Sequence, residues 1–126
     1  MSHAELPVIQ RSYDLLKWVS ERVARFPRPH RHTLGERLLA GLHELFDVLL
    51  EAKYTRIRGS LLDLANQLLE QLRFRIRLSF DLRCLRATSY GFAAGELESI
   101  GRMVGGWRKA ESGREARADT PALAGT

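Results

Sequence analysis

The sequence predicts an all-α protein, an antiparallel up-down-up-down four-helix bundle. Three observations carry this expectation. Apolar residues recur at three- and four-residue spacing through four long segments. Short connections rich in proline, glycine or arginine separate those segments. No strand pattern competes with these segments. The length, 126 residues, suits one domain with its own core and is short for two.

The first helix is expected over about Leu6 to Arg25. Ile9, Leu16 and Val23 recur every seven residues, with Val19 and Phe26 at the alternate positions, as a heptad seam does. Pro27 and Pro29 stop it, because proline lacks the N–H that a helix interior needs. The second helix starts near Thr33, read as an N-cap with Glu36 completing a capping box. Its seam is Leu38, Leu42, Leu45, Leu49 and Ala52, and it ends near Tyr54.

A basic connection follows, with Ser60 as a candidate cap. The third helix is expected to run to about Leu85. Leu61, Leu62, Leu64, Ala65, Leu68, Leu69, Leu72 and Ile76 spread over an arc of roughly 160° at about 100° per residue. That width suggests burial against something beyond the bundle's own core, such as another subunit. Ser89 is placed as the cap of the fourth helix, whose seam is Tyr90, Ala93, Leu97, Ile100, Val104 and Trp107. Gly101, Gly105 and Gly106 each cost about 1 kcal/mol there relative to alanine, which points to close approach of a neighbouring backbone. Residues 1–110 are read as the bundle domain and 111–126 as a disordered tail of weak apolar content.

Composition narrows the function classes. One cysteine, Cys84, leaves no internal disulfide framework. No run approaches the roughly 18 apolar residues of a membrane span, and Met1 to Pro7 lacks the pattern of a signal peptide, so a cytoplasmic protein with no membrane association is expected. His30, His32 and His43 do not form a ligand set with metal spacing, so neither metal nor cofactor is expected. No nucleophile motif, phosphate-binding glycine loop or paired carboxylates for Mg²⁺ occur, and no enzymatic activity is expected. Cys84 lies near arginines, which would lower its pKa, although a structural role in helix packing is the simpler reading.

The charge is the main functional clue. Net charge is +5 and the isoelectric point about 10.0. Lysine occurs only at positions 17, 53 and 109, so the basic residues are mostly arginine. Codon usage of a GC-rich genome gives the same bias. A polyanion partner is the functional reading, since guanidinium forks match phosphate geometry. Two groups stand out: Arg28, Arg31 and Arg37, with Arg25, around the first turn, and Arg73, Arg75, Arg77, Arg83 and Arg86 towards the end of the third helix. Arg73 and Arg77 are four apart and share one face, whereas Arg75 falls within or beside the apolar arc. The competing reading is a set of surface arginines paired to Glu70, Asp81 and Glu98.

Three segments together resemble a known family. They are residues 26–37 (FPRPHRHTLGER), 72–82 (LRFRIRLSFDL) and 100–107 (IGRMVGGW). The chain resembles, over about residues 8 to 109, the accessory variability determinant (Avd) proteins of diversity-generating retroelements. Those belong to a wider four-helix-bundle family that includes proteins encoded by intervening sequences in 23S rRNA genes. The resemblance implies a homopentameric barrel with a basic surface. It implies a non-enzymatic subunit that binds the retroelement reverse transcriptase and RNA or DNA, supporting mutagenic cDNA synthesis and retrohoming. Arg73 and Arg77 match basic positions of that family. Arg75 and the Pro29–His30 pair are less typical of it. The broad apolar face of the third helix would then be subunit interface. A bundle of the intervening-sequence type, or a purely structural oligomer, would share the fold but lack the polymerase partner.

Overall fold

The structure, a computed structural model, describes residues 5–124, with side chains described over 7–118. Four long helices and one single-turn helix follow each other: α1 (Glu5–Val23), α2 (Arg28–Arg31), α3 (Leu34–Tyr54), α4 (Gly59–Asp81) and α5 (Ala87–Ala124). No strand occurs among the described residues. The long helices pack in a square, α1 against α3, α3 against α4, α4 against α5 and α5 back against α1. Short connections make successive helices antiparallel, as expected.

The seams of α3 and α5 face the core as their spacing predicts. Leu38, Leu42, Leu45, Leu49 and Ala52 are buried, and so are Ala93, Leu97, Ile100, Val104 and Trp107. In α1 the buried stripe is rotated from the heptad reading. Val8, Leu15, Val19 and Val23 are buried, while Ile9 and Leu16 pack only partly against the core. Ser12 sits in this stripe. Its hydroxyl donates to the Val8 carbonyl at 2.8 Å, which lets a polar side chain pass as core. The wide arc of α4 is covered by the chain's own helices. Leu62, Ala65, Leu68, Leu69, Leu72 and Ile76 are buried, while Leu61 and Leu64 are half-buried against the core.

The corner after α1 is tighter than a proline stop. The helix ends at Val23, before either proline, and Phe26 turns inward to be buried. Gly35 makes the corner possible: a Cβ there would meet Val23 Cγ1 at 2.7 Å. The expected capping box does not form. The Thr33 hydroxyl donates back to the Pro29 carbonyl at 3.3 Å, and Glu36 pairs with His32 at 3.3 Å. Ser60 and Ser89 lie inside their helices rather than capping them. Among the glycines of α5, Gly101 faces the Arg73 side chain, whereas nothing lies within 4 Å of a Cβ at Gly105 or Gly106. Within this chain no neighbouring backbone approaches those two.

The structure continues α5 through the expected domain boundary at residue 110, where the sequence predicts a disordered tail. Glu111 is buried and anchors this extension. Its carboxylate accepts hydrogen bonds from the Arg114 guanidinium and lies 3.7 Å from Arg58 Nε. Arg114 also donates to the Arg56 carbonyl at 2.5 Å. Arg108 grips Asp63 of α4 at 2.8 Å and reaches Ser112 at 2.8 Å and Glu115 at 3.8 Å. Polar contacts, which an apolar tally does not register, hold the helix here. Residues 1–4, where part of the leader reading falls, and residues 125–126 of the tail lie outside the described residues. No described helix is long and apolar enough to cross a membrane.

Candidate polyanion interface at one end of the bundle

Antiparallel packing brings the two arginine groups to the same end. The last turns of α1 and α4, the first turns of α3 and α5, and the α2 turn all meet there. Within about two turns of that end lie Lys17, Arg22, Arg25, Arg28, Arg31, Arg37, Arg75, Arg77, Arg83 and Arg86, against Glu21, Glu36 and Asp81. Ten of the 20 basic residues therefore face three of the 15 acidic ones, a local excess of seven in a chain whose net charge is +5. The rest of the molecule is close to neutral and slightly acidic.

A groove between the end of α1 and the α4–α5 connection organises part of this charge. Arg25, Pro27, Phe80, Arg83 and Arg86 line one stretch together with Asp81, and Arg22, Arg25, Arg86, Thr88 and Ser89 line its continuation. Among the described residues no carboxylate pairs with Arg25, Arg28, Arg83 or Arg86. Leu85 is buried and pins the connection. Phe80 stacks on Tyr90 at 4.7 Å, which fixes the end of α4 against the start of α5. The free N–H groups of the first turn of α5 add positive potential to the same place.

Arg83 takes an unusual backbone conformation, with φ of 63°. It closes a Schellman turn: Cys84 N–H donates to the Ser79 carbonyl at 2.8 Å and Arg83 N–H to the Phe80 carbonyl at 2.9 Å. Glycine is the usual residue at this left-handed position, and a side chain there costs about 1 kcal/mol. The Cys84 thiol lies in this connection, half-buried and packed against the hydrophobic core, in keeping with a structural role. Burial pushes its pKa up, so the nearby arginines do not make it a reactive thiolate.

The other predicted residues are placed differently. Arg28 is exposed on α2, and Arg31 is half-buried and donates weakly to the Phe26 carbonyl at 3.4 Å. Arg37 and Arg75 lie together on the α3–α4 side, lining a shallow groove with Ala40 and Leu78. Arg73 and Arg77 are not the open pair that their spacing suggests. Arg73 bonds Glu70 at 3.0 Å with its guanidinium over Gly101, and Arg77 lies 3.9 Å from Asp81. Sequence reasoning did not single out Arg22, whose guanidinium lies 4.7 Å over the Trp18 ring. Its place in the last turn of α1 was visible, but its neighbours come from elements about sixty residues on. Among the described residues no group of histidine, cysteine and carboxylate side chains could hold a metal ion.

A model of the bAvd-like family matches residues 7–111. The chain belongs to the bAvd-like family. The match starts two residues into α1 and ends at Glu111, so this bAvd-like unit takes in α3, α4, nearly all of α1 and the part of α5 up to the buried carboxylate. Comparison with curated proteins gives no match.

Proposed function

We propose that this bAvd-like chain is a non-catalytic accessory subunit of a diversity-generating retroelement reverse transcriptase, acting in the cytoplasm as a homopentamer. In this reading it holds nucleic acid at its arginine-rich end while the polymerase makes error-prone cDNA for retrohoming. Membership of the family supports the accessory role. The observation that carries the binding role is the set Arg25, Arg83 and Arg86, brought together from the α1–α2 and α4–α5 connections, with Arg28 on the adjoining α2 turn and no carboxylate partner for any of the four among the described residues. Guanidinium groups so placed match phosphate oxygens in charge and geometry. Contacts of this kind position a nucleic-acid backbone without reading its sequence. Repetition around a ring would multiply the potential.

The test supplies a diversity-generating retroelement reverse transcriptase and its template-repeat RNA, then measures cDNA with and without the protein. The reading expects the chain to co-purify with the polymerase and cDNA yield to depend on it, with an R25A·R86A variant giving less. Equal cDNA in the absence of the chain would overturn it. A chain that binds RNA but no polymerase would favour the intervening-sequence type of bundle.

A further inference from the structure

The arginine-lined groove is blind at one end. Trp18 of α1 and Phe92 of α5 meet at 4.8 Å and bridge the seam between the two helices. Arg22 lies one turn nearer the end of the bundle than Trp18, with its guanidinium 4.7 Å over that ring. Thr88 and Ser89 lie about one turn nearer the same end than Phe92, on the facing helix. With Arg25 and Arg86 they line a recess of about 470 Å³. It shares no lining residue with the groove on the other side of the Trp18–Phe92 contact. We propose that this recess seats a terminal phosphate, the phosphomonoester at the end of a nucleic-acid strand. The inference rests on the polyanion reading of this end of the bundle and names the part of the ligand that it selects.

The donors in the recess outnumber its acceptors. Arg22, Arg25, Arg86, Thr88 and Ser89 all carry side-chain donors, and none bonds an acceptor among the described residues. Each guanidinium brings several N–H groups in a fixed fork, and each hydroxyl brings one O–H. Arg22 and Arg25 approach from the end of α1, and Arg86 from the α4–α5 connection opposite. A phosphodiester inside a strand offers this set two unshared oxygens and a single charge. A terminal phosphomonoester offers a third oxygen and nearly double the charge at neutral pH. Guanidinium groups that surround one point, rather than follow a line, suit the richer acceptor.

The surroundings let a strand leave in one direction. Inwards, the Trp18–Phe92 contact closes the seam, and the groove beyond it carries Asp14 and Glu96. Glu96 is held by Arg11 at 3.1 Å, but Asp14 accepts only the Gln10 amide, at 2.9 Å, and has no cation partner among the described residues. Its charge opposes a phosphate backbone there. Outwards, the recess shares Arg25 and Arg86 with the stretch that holds Arg83. Asp81 also lines that stretch, but Arg77 lies 3.9 Å from it. A strand therefore starts in the recess and runs out past Pro27, Phe80 and Arg83, its later phosphates meeting the arginines of that stretch.

Fluorescence anisotropy on the full chain tests this, with short single-stranded RNA labelled on an internal base. The strands compared are hydroxyl-ended, the same strand with a phosphate on one end or the other, and a hydroxyl-ended strand two nucleotides longer. The longer strand matches the total charge of the phosphorylated ones. A phosphorylated strand should bind about tenfold more tightly than the charge-matched one, the scale of one added charge-assisted hydrogen bond. R22Q and T88V·S89A, with helicity confirmed by circular dichroism, should each remove most of that preference. Both should leave hydroxyl-ended strands within about twofold of wild type, since the outward stretch is intact. Inorganic phosphate should erase the preference in the wild type at an ionic strength where chloride does not, a readout that stands even if both variants misfold. Equal binding of phosphorylated and charge-matched strands would overturn the inference and leave the polyanion reading in place. No binding by any strand would overturn both. A preference that survives in both folded variants would place the terminal phosphate outside this recess and overturn the inference.

Discussion

The Arg73 guanidinium closes over Gly101, where a Cβ would meet Nη2 at 2.5 Å. The contact sets an arginine of α4 against α5 in the space that a side chain at position 101 would take. The atom in the way is the far end of a flexible, half-exposed side chain already bonded to Glu70. G101A should therefore move Arg73 aside and keep most of the gain in helix propensity. Urea unfolding should show stabilisation of roughly 0.5–1 kcal/mol. A clear loss of stability would mean that Arg73 locks α4 to α5.

Arg83 offers a separation of stability from binding. Its left-handed φ suits glycine, so R83G should stabilise the fold by about 0.5–1 kcal/mol. The same change removes a guanidinium from the candidate interface and should weaken RNA binding. Thermal melts and a binding titration on one preparation check both halves. A less stable R83G would show that the side chain, and not only the turn, holds the end of α4.

Glu111 predicts a pH dependence. Hydrogen bonds from Arg114, then the charges of Arg114 and Arg58, hold its carboxyl below the usual glutamate value despite burial. A carboxyl depressed in the folded state contributes stability that is fully present above the unfolded value, about 4.3, and lost as pH falls through the folded value. Wild-type stability should thus hold from neutral pH to about 5 and fall below about 4, and the fall should be shallower in E111Q. At neutral pH, E111Q should cost roughly 1–3 kcal/mol, because it replaces the buried carboxylate that holds the half-buried Arg58 and Arg114 guanidinium groups with a neutral amide. Parallel pH profiles for the two proteins would contradict this account of the α5 extension.

Much of the fold was legible because spacing alone reports a core face. The seams of α3 and α5 needed nothing else. In α1 the spacing misled, since Ser12 is core through a backbone bond that no apolar pattern records. The continuation past residue 110 was hidden for a related reason: Glu111, Arg114 and Arg108 read as solvated charges until their partners at Arg56, Arg58 and Asp63 are placed. The candidate interface was legible as two arginine groups, not as one surface. Spacing along α4 favoured Arg73 and Arg77, which find acids within one turn. Topology instead joins Arg22 and Arg25 to Arg83 and Arg86.

The most direct test of the account is the salt dependence of RNA binding in three proteins: wild type, R25A·R86A and R73A·R77A. Each phosphate contact releases counterions, so affinity falls with salt at a slope set by the number of contacts. The account predicts that R25A·R86A binds more weakly and that its slope drops by about 1.5, while R73A·R77A stays near wild type. A wild-type slope in R25A·R86A, or a larger loss in R73A·R77A, would contradict the placement of the binding surface at the arginine-rich end.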